Sequence, residues 1–176
     1  SLFPKHPYGT QTVLGTQENL KNPSITNIKN YYKQWYVPNN MAICMSGDLD
    51  PDATIALIDK YFGGLKPNPE LPKLDLPKEA PITQPVVKEV LGPDAESVAL
   101  AWRFPGVSDK DFEILQVVSQ VLYNGKAGLI DLDLNQQQKV LNSYGYPMGL
   151  ADYSAFILGG LPKQGQTLEE VKDLLL

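Results

Sequence analysis

The chain has 176 residues, of which 43% are hydrophobic and 20% charged, a mixture that can bury a core and argues against wholesale disorder. Its net charge is −5 and Arg103 is its only arginine, so neither nucleic acid nor an anionic membrane surface is expected as a partner. No apolar run approaches the length of a membrane span, and the single cysteine, Cys44, excludes an internal disulfide framework. The cellular compartment stays unknown from these features.

The first helix is predicted after an irregular stretch, residues 1–23, that reads as loop or irregular strand because of its prolines and glycines. Ser24 is a suitable N-cap, and Ile25, Ile28, Tyr32 and Trp35 then recur at helical spacing. The helix has to end before Pro38, because the residue preceding a proline is driven out of the helical region. Asn39 and Asn40 then form a turn.

A strand and a second helix are predicted next. The apolar run 41–46 is too short for a helix and is bounded by turns, which favours a buried strand that would hold Cys44 in the core. Asp50 can cap a helix that begins at Pro51, and Gly63-Gly64 supplies its end. The buried face of this helix is expected to comprise Ile55, Ile58 and Phe62.

Residues 66–85 contain six of the fifteen prolines, a density that neither a helix nor a central strand tolerates. We interpret this stretch as an extended, semi-rigid linker that marks a domain boundary. The domain organisation predicted from the sequence is therefore residues 1–65, a linker over 66–85, and a second domain over 86–176.

The second domain alternates strands and helices. Residues 86–90 read as a strand, and a second strand follows in which Val98, Leu100, Trp102 and Phe104 form one heavy face. A helix capped near Ser108 and Asp111 should run to about Gly125, followed by a shorter helix at 128–138. Strands are predicted at 140–146 and 153–161, and a capping box of Thr167 and Glu170 should begin the last helix. This order predicts an α+β fold with the helices on one face of a mainly antiparallel sheet.

Residues that could carry chemistry are few. A hydrolytic zinc site needs several protein ligands, whereas His6 is the only histidine and sits before a proline, where a structural role is more common. Asp48, Asp50 and Asp52 alternate as in a calcium loop, but the glycine and glutamate that such a loop requires are missing, so helix capping is favoured. Residues 125–128 lack the spacing of a phosphate loop and read better as a turn between helices.

Two further candidates also have structural interpretations. Glu169 and Glu170 lie at a helix start, where carboxylates favour the helix dipole, rather than forming a catalytic pair. A nucleophile would need a base, for which only His6 is available. We therefore predict no catalytic, cofactor-binding or metal-binding residue in this chain.

The first 65 residues carry an ordered series of short motifs: His6-Pro7-Tyr8-Gly9, Val13-Leu14-Gly15, Glu18-Asn19-Leu20, Tyr31-Tyr32, Trp35-Tyr36-Val37-Pro38-Asn39-Asn40-Met41, Gly47-Asp48-Leu49-Asp50 and Lys60-Tyr61-Phe62-Gly63. In order and spacing the series resembles the stretch that follows the metal site in insulinase/pitrilysin zinc peptidases. Residues 86–176 resemble the next domain of that family more loosely, through Trp102-Arg103-Phe104-Pro105. The turn at residues 124–128 departs from the family's glycine-rich, serine- and arginine-bearing form, and Arg103 does not correspond to the family's catalytic arginine.

The resemblance implies a parent enzyme that cleaves peptides with a water bound to zinc on an inverted His-x-x-Glu-His helix, a motif that this chain lacks. It also implies a fold of duplicated α+β units whose first unit is incomplete here, forming part of a chamber wall around unfolded peptide substrates. The chain starts at Ser1 and ends on three leucines inside an apolar helix face, so we expect it to be an internal portion of a longer protein. Its partners would be a peptide or unfolded polypeptide, and the remaining domains or a second family subunit.

Three functions stay open at this point. The parent could be an active zinc endopeptidase, which the ordered motifs favour. It could instead be a non-catalytic structural or partner subunit of the same family, since such relatives keep the fold and lose the ligands. The chain could also be an independent binding module that shares only the fold, a reading motivated by its lack of a site.

Overall fold

The computed structural model describes residues 2–176, which divide into two units. The helical unit comprises residues 3–80, and the sheet unit comprises residue 2 together with residues 81–176. The division after Ala80 falls within the proline-rich stretch 66–85, which forms neither helix nor strand. The assignment of the two segments to particular domains of a larger protein stays a prediction.

The helical unit contains α1 (Pro7–Thr10), α2 (Gln17–Lys21), α3 (Ile25–Trp35), a 3-10 turn (Pro38–Asn40) and α4 (Pro51–Phe62). Both long helices begin where the sequence predicted. The Ser24 hydroxyl accepts a hydrogen bond from the Asn27 amide, and a carboxylate oxygen of Asp50 accepts one from the Ala53 amide at 2.9 Å. The stretch 1–23 was predicted to be irregular, but it folds into α1 and α2 around further caps at His6 and Thr16.

The predicted strand at 41–46 is wrong, because these residues form no strand and their side chains are exposed. The predicted buried face of α4 is wrong as well, since Ile55 is 63% and Phe62 44% exposed. Hydrophobic spacing shows which side chains share a face, but burial needs a second layer, and the helical unit has no strand among its described residues. Cys44 is correspondingly exposed instead of lying in the core.

The sheet unit contains β1 (Val98–Pro105), α5 (Lys110–Leu122), a π-helical turn (Asp131–Asn135), β2 (Asn142–Gly149), β3 (Tyr153–Leu161) and α6 (Leu168–Leu175). The α+β class with helices against an antiparallel sheet is confirmed. Several boundaries differ, since Asp109 rather than Ser108 caps α5, α5 ends at Leu122 rather than Gly125, and the strand predicted at 140–146 spans Asn142–Gly149. The capping box of Thr167 and Glu170 forms as predicted.

The three strands are antiparallel in the order β1-β3-β2, so β3 is central. The predicted strand at 86–90 is wrong, because the segment pairs with no strand, and Val87 and Val90 are each 89% exposed. A β-branched run has the local propensity for a strand, but it becomes one only when another strand accepts its hydrogen bonds.

The core lies between one face of the sheet and helices α5 and α6. Two glycines make the close packing possible: a Cβ on Gly149 would lie 2.5 Å from the Phe112 ring of α5, and one on Gly160 would lie 2.5 Å from Val171 of α6. The buried cluster comprises Leu115, Ile130, Leu134, Val140, Phe156, Leu158, Val171 and Leu175. The opposite face, here called the open face, carries small residues and a stacked pair of rings, Tyr144 and Tyr146.

Candidate functional site

The turn between α5 and the π-helical turn, here called the 124–128 loop, folds around the carboxylate of Asp131. This side chain is only 5% exposed. Its Oδ2 accepts hydrogen bonds from the amides of Asn124 at 3.0 Å, Gly125 at 2.9 Å and Gly128 at 3.1 Å. One buried carboxylate oxygen therefore satisfies three backbone donors of a loop that has no regular hydrogen-bonding pattern of its own.

Local residues shape the same loop from the inside. The Asn124 side chain donates to the Gln120 carbonyl at the end of α5, and its oxygen accepts from the amides of Lys126 and Ala127. Gly125 has a φ of +77°, a left-handed conformation that most side chains disfavour. The loop therefore needs asparagine and glycine in succession, followed at the right distance by an aspartate.

A cavity of about 340 Å³ opens beside this loop. It is lined by Tyr123, Gly125, Lys126, Asp131, Asn135, Gln136 and Asn142. Most of its polar groups bond within the protein, since Asn135 pairs with the backbone of Ser143 and Gln136 donates to the Lys126 carbonyl. The cavity therefore offers a polar wall with one cation at its rim, and it has no acid and base pair set up for proton transfer.

The phosphate-loop alternative is not supported by this geometry. In a phosphate loop the free backbone amides point at the ligand, whereas here the amides of Asn124, Gly125 and Gly128 point at Asp131. An external anion would have to displace an internal one. The prediction of a turn between helical segments is confirmed, and its organising residue, Asp131, was not identified from the sequence.

His6 has a structural role in the helical unit. It is 1% exposed, and its Nδ1 accepts a hydrogen bond from the Tyr8 amide at 3.3 Å, so it caps α1. Its backbone amide and that of Lys5 both donate to a Glu79 oxygen at 2.7 Å. The Tyr8 ring packs edge-on with its centre 4.2 Å from the imidazole.

The carboxylates singled out in the sequence also serve helices. Asp50 caps α4, as the capping interpretation predicted. Glu170 accepts from the amide of Thr167 at 2.8 Å and from its hydroxyl at 3.0 Å, and these bonds hold the pKa of Glu170 below its ordinary value. Glu169 pairs with Lys172, whose pKa is raised mainly by that hydrogen bond. The two glutamates therefore face different partners and form no catalytic pair.

Arg103 lies on β1, where its guanidinium donates to the carbonyl of Leu2 at 2.6 Å and stacks over the Tyr153 ring at 5.6 Å from the ring centre. Within residues 2–176, no three histidine, cysteine, aspartate or glutamate side chains lie close enough together to hold a metal ion. In the same range, no helix combines the length and the apolar character that crossing a membrane requires.

Residues 24–176 match the Peptidase M16 inactive domain. Because this match covers most of the chain, the chain belongs to the M16 peptidases, the insulinase-like family that its first 65 residues resemble.

Individual relatives agree with this assignment. The chain is 29% identical over 164 residues to the zinc protease PqqE of Helicobacter pylori, an alignment that covers 89% of this chain and 36% of the relative. The crystal structure of a protease from Helicobacter pylori superposes with a TM-score of 0.73 at 23% identity, over 92% of this chain and 40% of the other. The first half of the periplasmic protease PqqL from Escherichia coli gives a TM-score of 0.57 at 18% identity, over 98% of this chain and 42% of the other.

The chain therefore spans well under half the length of these relatives. At identities below 25%, the two structural matches establish the fold alone. The partial coverage agrees with the prediction that the first α+β unit is incomplete in this chain.

Proposed function

We propose that this chain is part of a zinc-dependent endopeptidase. This portion forms part of the wall of the substrate chamber and is not itself catalytic. The parent enzyme would hydrolyse peptide bonds with a metal-activated water. The observation that carries the proposal is the match of residues 24–176 to an inactive domain of a peptidase family. Support comes also from the relative named a zinc protease, which aligns over 89% of the chain.

The residues present in this chain do not fit a zinc site. His6 is the only imidazole, it is buried, and its Nδ1 already accepts the Tyr8 amide. Asp131 and Glu170 use their oxygens to bind backbone amides. In this proposal the zinc and its ligands belong to another part of the longer protein, and no catalytic step is assigned to residues 1–176.

The open face of the sheet is the part of this chain that we assign to the chamber wall. Tyr144 and Tyr146 stack there with ring centres 6.0 Å apart, and Tyr146 is 46% exposed. An exposed aromatic ring beside small residues suits an unfolded chain, because it buries varied apolar side chains without demanding one sequence.

A cross-linking experiment in the longer protein tests this assignment. A photoreactive phenylalanine analogue in place of Tyr146 should cross-link to an unfolded polypeptide substrate. The same analogue in place of Ile114, which is 56% exposed on α5, is the matched control and should not. Equal cross-linking from both positions would exclude a substrate-facing role for the open face.

Activity is tested separately. The 176-residue chain should retain no stoichiometric zinc and cleave no quenched fluorescent peptide, whereas the longer protein should lose cleavage with a chelator and regain it with added zinc. A chain of residues 1–176 that cleaves peptides in a zinc-dependent way would refute the proposal.

The second candidate is a non-catalytic subunit of the same family, and the description of the matched domain as inactive favours it. The two candidates differ in the longer open reading frame. An inverted His-x-x-Glu-His motif on the amino-terminal side supports the peptidase, and its absence together with no zinc binding supports the subunit.

A further inference from the structure

The 124–128 loop contains a chemically reactive pair of residues. Asn124 precedes Gly125, and no other asparagine of the chain is followed by a glycine. After losing its proton, a glycine nitrogen can attack the side-chain carbon of the preceding asparagine, because the glycine has no Cβ that obstructs the approach. The new bond from nitrogen to Cγ closes a succinimide ring, while the bond from Cγ to Nδ2 breaks and the departing nitrogen takes up a proton to leave as ammonia. Water then opens the ring, which leaves aspartate or isoaspartate in place of the asparagine.

The nucleophile of this reaction, the Gly125 nitrogen, is bonded to Asp131. Its amide donates to Oδ2 of Asp131 at 2.9 Å, and the aspartate is 5% exposed. The reaction requires removal of the amide proton, but a carboxylate at this distance opposes the formation of a second negative charge on the nitrogen. The same carboxylate oxygen accepts the amides of Asn124 and Gly128, so the Gly125 amide is released only when this set of bonds opens.

The group under attack, the Asn124 side chain, is fixed at both of its polar atoms. Its Nδ2 donates to the Gln120 carbonyl of α5 at 2.9 Å. Its Oδ1 accepts from the amides of Lys126 at 3.0 Å and Ala127 at 2.9 Å. Ring closure turns both atoms as Cγ bonds to the Gly125 nitrogen, so it would break these three hydrogen bonds. The folded loop therefore restrains the electrophile as well as the nucleophile.

We propose that Asn124-Gly125 is a deamidation site that Asp131 keeps closed in the folded sheet unit, and that it reacts only when the 124–128 loop opens. Every contact that carries this proposal joins residues within 120–131. The contacts are therefore independent of what the longer protein packs against this unit. The proposal does not depend on the peptidase activity of the longer protein.

The product of the reaction would not restore the loop. A carboxylate on residue 124 has no N–H for the Gln120 carbonyl, and it adds a negative charge to a residue whose backbone amide is bonded to Asp131. Isoaspartate also lengthens the backbone by one methylene group. Deamidation therefore makes the opening of the loop irreversible, and the deamidated fraction rises with the time that the loop has spent open.

Peptide mass spectrometry of the longer protein tests the proposal. Cleavage after lysine releases residues 111–126, in which Asn124 is the sole asparagine. In mildly alkaline buffer, Asp131→Asn should speed deamidation in this segment by about thirtyfold to a hundredfold, because three hydrogen bonds that close the loop lose their charged acceptor. Asp133→Asn, the same change at an exposed residue of the π-helical turn, is the matched control and should leave the rate unchanged.

Two further measurements separate opening of the loop from unfolding of the whole unit. Asn142 of β2, in the released segment 140–163, should not deamidate faster in the Asp131→Asn protein. In the unsubstituted protein, the folded loop should slow hydrogen exchange of the Gly125 amide relative to a synthetic peptide of residues 120–128. It should slow deamidation by at least the same factor, because both processes remove the same proton.

Any of three results would overturn the proposal. The unsubstituted protein could deamidate at Asn124 as fast as the synthetic peptide. The Asp131→Asn protein could deamidate there no faster than the Asp133→Asn protein. Deamidation at Asn124 and Asn142 could accelerate together, which would show that the fold of the whole unit, rather than the contacts of Asp131, protects the site.

Discussion

Replacing Asp131 by asparagine should destabilise the sheet unit by about 2 to 3 kcal/mol. The side chain keeps its shape, but three hydrogen bonds from Asn124, Gly125 and Gly128 lose their charged acceptor. A hydrogen bond to a charged group contributes ~1.5–3 kcal/mol and a neutral one ~0.5–1.5, so each bond loses about 1 kcal/mol. Summed over the three bonds, the loss of stability is about 3 kcal/mol. The expected loss is slightly smaller, because the amide donors of Asn124 and Gly125 are only partly buried.

Urea denaturation of the sheet unit measures this loss. Trp102 reports on β1, and a Trp35→Phe background removes the fluorescence of the tryptophan in the helical unit. The midpoint should fall while the slope with urea stays constant, because the surface exposed on unfolding does not change.

Asp133→Asn is the matched control, since Asp133 is exposed on the same π-helical turn and should change the free energy of unfolding by less than about 0.5 kcal/mol. If both substitutions have the same small effect, Asp131 does not organise the loop.

Further expectations concern caps, pH and packing. Asp50→Ala should destabilise the helical unit by about 1 kcal/mol by removing the cap of α4, whereas Asp50→Asn, which retains an acceptor, should be nearly neutral in thermal unfolding. The amide of Thr167 lowers the pKa of Glu170 below its ordinary 4.5, so this contribution to stability is present above that pH and is lost as pH falls through the lowered pKa. Glu170→Gln should flatten the dependence of the melting temperature on pH between about 5 and 3, and an unchanged slope would contradict the assignment. Gly159→Ala should cost about 1–3 kcal/mol, because its Cβ would lie 2.2 Å from the Tyr144 ring, and adding Tyr144→Ala should recover part of that loss in urea denaturation.

The amino-acid sequence by itself determined the features whose cause lies within a few residues. The caps at Ser24, Asp50 and Thr167 bond to amides only three residues further along, so their signals are local. Strand β1 was predicted from the alternation of heavy and smaller side chains along it, and the strand predicted at 153–161 has the bounds of β3. The family assignment also rested on ordered local motifs, and residues 24–176 match it.

Only the tertiary structure decided which segments find a partner. The runs 41–46 and 86–90 have the composition of strands but remain unpaired, because inter-strand hydrogen bonds need a neighbour that local sequence does not specify. Asp131 and Asn135 read in sequence as ordinary polar residues of a short helix, yet they fold the 124–128 loop and close the edge of β2. Both do so by bonding their side chains to backbone groups of other residues, and the placing of those backbone groups carries no signature in the local sequence.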